Sequence, residues 1–168
     1  MEYSIKHVAK NYKMTAFGVS FDDFNDWQGN AARTSAKKAE IIANGSLSAL
    51  TALSDGQIYQ INYVLDGKAW RGFGVMGEFN LDGAVVLDFL AGDYLIFSAN
   101  GTNEMTLADE ITSMVFGQGL KEASDYKYIG PGNATFVKSV EKNKFYGEMR
   151  SGLKKSKNIP VINDKNLV

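Results

Sequence analysis

The stretch Leu87 to Gly101, Leu-Asp-Phe-Leu-Ala-Gly-Asp-Tyr-Leu-Ile-Phe-Ser-Ala-Asn-Gly, constrains this chain more than any other. It reads as a short apolar strand, a tight corner at Ala91-Gly92, a second strand from Asp93 to Ala99, and a turn into a helix. Glycine suits such a corner because, without a β-carbon, it takes backbone angles that other residues resist.

The same alternation runs through the rest of the chain. Phe17, Val19 and Phe21 share one parity between Met14 and Phe21, which is strand spacing. Asp22 to Ala32 reads as a polar loop containing glycine, and Arg33-Thr34-Ser35 as the opening of a helix capped by Thr34 or Ser35. Ala36, Ala39, Ile42 and Ala43 form its apolar stripe. Asn44-Gly45 interrupts that stripe, as a C-cap or as a tolerated flaw, and the helix continues or restarts to about Leu53. Ile58 to Leu65 is a strand, Asp66-Gly67 a hairpin turn, and Ala69 to Phe79 the returning strand. Gly72, Gly74 and Gly77 mark bulges or close backbone approach in it.

The second half repeats this order. Val85 to Phe97 supplies strand residues, and a helix follows over Thr106 to Gly117. Leu107, Ile111, Met114 and Val115 lie on one face of that helix, and Thr106 and Asp109 stand at capping-box spacing. Gly130-Pro131-Gly132 reads as a turn, Asn133 to Ser139 as a strand, Asn143 as part of a polar turn, and Lys144 to Leu153 as the last strand. The expected fold is therefore α+β: a duplicated strand-helix-strand-strand unit, with pseudo-repeats over about 1–80 and 81–153. Its antiparallel sheets carry two helices on one side and leave a groove between the halves. Residues 154–168, rich in lysine and asparagine and broken by Pro160, form a polar tail outside the single domain of 1–153.

Composition removes several function classes. With 45% apolar and 12% aromatic residues the 168-residue chain can bury a core, and a formal charge of -1 offers no broad field for nucleic acid. The absence of cysteine excludes disulfides and thiolate chemistry. No apolar run approaches the length of a membrane span and no signal-like core opens the chain, so a cytoplasmic protein is expected. His7 is the only histidine, without cysteines or spaced carboxylates around it, and neither a metal site nor a Ser-His-Asp triad is expected. Gly72-x-Gly74-x-x-Gly77 spells a dinucleotide fingerprint, but inside a strand instead of a strand-to-helix turn, so no cofactor is expected.

The segment Ala91-Gly92-x-Tyr94-x-x-Phe97, followed by Gly101 and a helix, resembles the signature of GyrI-like effector-binding domains. So does the opening Lys13-Met14-Thr15-Ala16-Phe17-Gly18-Val19. The resemblance spans roughly residues 1–153 and implies a bacterial small-molecule binder. It is that of a free-standing member, since no helix-turn-helix fits before Met14 or after Leu153. Many members of the family carry a glutamate in a Phe-Glu-x-Tyr-like strand that meets cationic drugs. Here that strand reads Asn133-Ala134-Thr135-Phe136-Val137-Lys138, with no carboxylate.

The residues expected to hold a ligand are Trp27, Tyr59, Tyr63, Trp70, Phe97, Phe136 and Tyr146, with Phe73 beside them, because flat rings supply area and attract cations. Glu148, on the parity of Tyr146, and Glu78, on that of Trp70 and Met76, are the two strand carboxylates able to replace the missing acid. Trp27 is either a lid or an anchor for its loop. Three readings follow: binding of a lipophilic, in one version cationic, small molecule; hydrolysis of strained cyclopropanoid compounds, as in one subgroup of the family, with Glu148 and Tyr146 as catalytic residues; and a protein partner, as for gyrase-inhibiting relatives. None of them requires direct contact with nucleic acid or membrane.

Overall fold

The chain begins with β1 (Glu2–Val8) and β2 (Tyr12–Phe21), followed by α1 (Trp27–Ala43) and α2 (Ser46–Ala52). Next come β3 (Tyr59–Leu65), β4 (Lys68–Met76), β5 (Val85–Phe89) and β6 (Gly92–Gly101). The last elements are α3 (Glu104–Met114), a π-helical turn over Val115–Gly119, β7 (Tyr126–Glu141) and β8 (Lys144–Lys155). The structure is a computed structural model and describes residues 2–119 and 126–155.

All the strands join one antiparallel sheet in the order β1-β6-β8-β7-β3-β4-β2-β5. β3 and β7 pair at its centre, with Ile61 opposite Ala134, and on either side the order is the same: β3-β4-β2 and β7-β8-β6. The leading strands are exchanged: β1 precedes β2 but pairs with β6, and β5 precedes β6 but pairs with β2. This is the duplicated strand-helix-strand-strand architecture, with α1 and α2 as the broken helix of one unit and α3 as that of the other.

The sheet curls with its helix-free face inward. Four strands separate β2 from β6 in the sheet, yet the Tyr12 and Tyr94 rings stand 6.0 Å apart. Arg150 of β8 lies over the Tyr12 ring at 5.7 Å, and the Ala91 amide donates to Asn11 Oδ1 at 2.7 Å. Such contacts require the sheet to bend into a half-barrel. Its inner face buries Met14, Ala16, Ile61, Tyr63, Leu87 and Phe89, each removing apolar area worth about 2 kcal/mol for a large side chain. On the outer face α1 and α2 bury Ile41, Leu47 and Leu50 against Phe17, Phe73 and Val75. α3 buries Leu107, Ile111 and Val115, spaced by four, against Leu95, Phe97 and Met149.

Several local expectations are corrected. β1 carries no strong strand signal because it is an edge strand with nearly every residue exposed. α1 starts at Trp27, not near Arg33: Asp26 accepts from the Gly29 amide at 3.0 Å and caps it. Thr34 is buried within the helix and donates to the Asn30 carbonyl at 2.8 Å. The stripe Ala36, Ala39, Ile42 and Ala43 faces solvent; the buried line is Asn30, Thr34 and Ile41. Gly45, at φ 80°, ends that helix and α2 restarts beyond it. Asn103, not Thr106, caps α3 by accepting from the Met105 amide at 2.9 Å, while Thr106 donates to Glu110. Met114, expected in the stripe of α3, is exposed.

Gly130-Pro131-Gly132 is no turn between elements; it lies inside β7, where residues 129–132 face the single β8 residue Gly152. Proline has no amide hydrogen for the ladder, so an irregularity is where a strand accommodates it. At Gly132 a β-carbon would collide with the carbonyl oxygen of Asn62 on β3, so only glycine permits this approach of the two central strands. Of the tail read over 154–168, Lys154 and Lys155 end β8 and the remainder lies outside the described residues. No described helix is long and apolar enough to cross a membrane.

Candidate functional site

On the outer face of the sheet the two helical covers sit apart. α1 and α2 rest on β2 and β4, α3 rests on β6, β7 and β8, and a cleft runs between them over β3 and β7. Two cavities lie along it. One, of about 410 Å³, is lined by Lys38 of α1, Glu104, Met105 and Ala108 of α3, and Thr135 and Val137 of β7, with Phe73 at its base. The other, of about 220 Å³, is lined by Phe21, Phe24, Trp27, Arg71, Asp109 and Thr112.

A polar strip floors this cleft. Gln60 and Asn62 of β3 and Asn133 and Thr135 of β7 occupy the parity opposite the apolar inner face. Asn62 donates to Asn133 Oδ1 at 2.9 Å, and Arg71 Nε donates to Asn62 Oδ1 at 2.8 Å. Gln60 Nε2 donates to Asp109 Oδ1 at 3.1 Å, and Arg71 Nη1 approaches the same oxygen at 3.9 Å. Asp109 thus bridges both halves of the protein and stands between the two cavities. Thr135 Oγ1 is buried and has no hydrogen-bond partner among the described residues. Buried polar groups are normally satisfied, so Thr135 is an exception, as are Ser151 Oγ, on the β8 residue opposite Asn133, and the Tyr63 hydroxyl on the inner face.

Rings and charges complete the rim. Trp27 is 74% exposed and Phe24 64% exposed, their centroids 6.2 Å apart. Both sit at the start of α1, where the Asp26 cap holds Trp27 at the mouth of the smaller cavity. Lys38 Nζ stands 5.2 Å from the Phe73 centroid, and the Arg71 guanidinium 5.9 Å from that of Phe21. The residues lining the two cavities include three cations, Lys38, Lys138 and Arg71, and two carboxylates, Glu104 and Asp109, with the Lys138 ammonium group turned to the Tyr146 ring of the inner face.

The other expected residues gather elsewhere. Tyr59, Tyr63, Trp70, Phe136, Tyr146 and Glu148 all lie on the inner face. Register makes this so: Glu148 pairs with Phe136, Phe136 with Tyr59, and Tyr63 with Trp70. Tyr59 meets Phe136 edge-on at 5.6 Å, Tyr63 stacks on Trp70 at 6.0 Å, and Tyr146 donates its phenol hydrogen to Glu148 Oε2 at 2.9 Å. Burial raises the phenol pKa of Tyr59 and of Tyr146, Glu148 raising the latter further, and pushes Tyr63 up to about 12. Lys138 stands over the Tyr146 ring at 5.4 Å. Phe97 joins neither group; it is fully buried beneath α3. Glu78 is exposed beyond the end of β4, because Gly77 at φ 116° turns the chain and breaks the parity with Trp70.

Sequence reasoning thus reached Trp27 and Phe73 of the cleft but missed Phe24, Lys38, Arg71, Glu104, Asp109 and Thr135. A usable signal existed: the polar parity of two apolar strands, Gln60 with Asn62 and Asn133 with Thr135, marks the strip of the outer face between the two helical covers.

No family model matches the chain and no curated protein does. Solved structures do. SAV2435 bound to tetraphenylphosphonium superimposes with a TM-score of 0.71 at 14% identity, over 95% of this chain and 98% of that one. The integron cassette protein VCH_CASS2 from the mobile metagenome of Vibrio cholerae gives 0.62 at 17% identity, over 90% and 95%. The C-terminal domain of EcmrR gives 0.53 at 10% identity, over 92% and 98%. The resemblance read from Ala91-Gly92-x-Tyr94-x-x-Phe97 therefore extends to three dimensions: this chain has the GyrI-like fold.

Proposed function

We propose that this protein binds a small, largely apolar organic molecule in the cleft between α1 and α3, for sensing or sequestration. The observation that carries this reading is the cavity of about 410 Å³ over β3 and β7, at the junction of the two units and within the size range of small-molecule sites. Its aromatic neighbours offer stacking surface, and Glu104 and Asp109 offer countercharge to a cationic group. SAV2435, which shares the fold, is known with tetraphenylphosphonium bound. Calorimetric titration with tetraphenylphosphonium tests the reading. The native chain takes it up saturably, and Ala108→Phe, which fills the cavity from α3, abolishes uptake. Equal uptake by both proteins refutes the assignment.

The hydrogen bond from Tyr146 to Glu148 favours a second reading, an anchoring or hydrolytic role on the inner face. Burial and Glu148 hold the Tyr146 phenol protonated beside the carboxylate, the pairing of acid and base that such chemistry uses. Turnover of an activated cyclopropane, lost in Glu148→Gln and Tyr146→Phe, supports it; absence of turnover in the native chain removes it.

A further inference from the structure

The charges around the larger cavity narrow the class of ligand. Lys38 comes from α1 and Glu104 from α3, and these helices cover opposite halves of the sheet, so the two charges enter the cavity from opposite walls. Neither has an ion-pair partner among the described residues. Lysines and glutamates on exposed helices are commonly solvated, and Glu104 in the first turn of α3 also suits the helix dipole. Solvation alone, however, leaves the third feature unexplained. Thr135, 2% exposed on the floor of the same cavity, keeps a hydroxyl without a partner while Gln60, Asn62, Arg71 and Asn133 around it are paired. A buried hydroxyl in that state is destabilising, and the penalty is removed when a bound polar group supplies the missing bond. The rest of the lining is mixed: Ile58, Phe73 and Val137 are apolar, Gln57 and Ser139 polar, and Lys138 turns its ammonium group to the Tyr146 ring of the inner face at 5.4 Å, leaving Lys38 as the cation on the cavity wall.

A permanently cationic lipophile uses Glu104 but meets Lys38 as a like charge, and a lipophilic anion meets the reverse conflict. A molecule bearing both charges satisfies both walls. We propose that the larger cavity selects a small zwitterion with an apolar body, of the amino-acid type. Lys38 holds its carboxylate, Glu104 its ammonium group, and Thr135 hydrogen-bonds its polar end. This inference rests on the cleft being the binding site and adds the ligand's charge pattern to it.

The experiment is a two-dimensional amide NMR titration of the full chain with L-leucine. 4-Methylpentanoate, which lacks the ammonium group, isoamylamine, which lacks the carboxylate, and tetraphenylphosphonium are titrated in parallel. Saturable shifts at Gln60, Phe73, Ala108 and Thr135 are expected with L-leucine. Lys38→Met, Glu104→Gln and removal of either charge from the probe each weaken binding by about tenfold or more. Thr135→Val, close to isosteric and removing no protein hydrogen bond, weakens it by a smaller factor of about threefold. Dispersed spectra of the variants establish that they fold. If tetraphenylphosphonium binds in the cleft and L-leucine does not, or if L-leucine binds Lys38→Met and Glu104→Gln undiminished, the zwitterion assignment is overturned and the cleft reading stands. If neither probe binds, both are overturned.

Discussion

Gln60 of β3 donates its side-chain amide to Asp109 of α3 at 3.1 Å, tying the central strand of one unit to the helix of the other across the floor of the cleft. Asp109 also faces Arg71 at 3.9 Å and remains 65% exposed, so its electrostatic contribution to folding is small. Asp109→Ala should therefore change stability by less than about 1 kcal/mol. Because the side chain is one of two carboxylates in the cleft, the same variant should lower affinity for tetraphenylphosphonium by about fivefold. Affinity for neutral triphenylphosphine oxide should stay unchanged. Parallel calorimetric titrations check this, and equal losses for both probes would count against a charge effect.

Tyr63 carries a buried hydroxyl with no hydrogen-bond partner among the described residues, and burial pushes its pKa up to about 12. An unfolded chain ionises this phenol near 10, so above that pH the unfolded state binds fewer protons than the native one and stability falls as pH rises. The contribution is intact below pH 10 and is lost as pH climbs towards 12, amounting to about 2–3 kcal/mol. Tyr63→Phe removes both the unsatisfied oxygen and the titration. Urea unfolding should find it at least as stable as the native chain at pH 7, with a shallower alkaline decline. Tyr94, whose pKa burial also raises, maintains part of that decline.

Gly132→Ala should be severely destabilising, by about 3 kcal/mol or more, because the added methyl meets the Asn62 carbonyl in the central β3–β7 pairing. Thermal unfolding monitored by circular dichroism measures this. An unchanged midpoint would mean that the two strands can part without loss.

Asp26→Ala should cost about 1 kcal/mol by leaving first-turn amides of α1 uncapped. Trp27 is the next residue, so fraying of this turn also loosens the rim of the cleft. The expected signature is a lower urea midpoint together with a change in tryptophan anisotropy.

These outcomes bear on what the sequence can disclose. Strands with alternating apolar residues, such as Met14 to Phe21 and Ile58 to Leu65, announce themselves because burial on one face imposes a period of two. β1 did not, since an edge strand exposed along nearly its whole length buries nothing that a pattern could record. The start of α1 was hidden by a buried face made of Asn30 and Thr34 in place of apolar residues. The aromatic residues were legible as a set but not by face. Tyr59, Phe136 and Tyr146 line the inside of the curl and Trp27 the outside, a division that depends on the sheet closing on itself through Tyr12 and Tyr94. The cleft charges come from three separate elements, α1, β4 and α3, and no local spacing brings Lys38 and Arg71 to Glu104 and Asp109.

The most direct test of the cleft as binding site uses the two tryptophans, one on each face of the sheet. Trp70→Phe leaves Trp27, at the cleft, as sole reporter, and Trp27→Phe leaves Trp70 on the inner face. Titrated with tetraphenylphosphonium, the first variant should give a saturable change in emission and the second little or none. A saturable response confined to Trp70, or none from either variant with both tetraphenylphosphonium and L-leucine at millimolar concentration, would contradict binding between the helices.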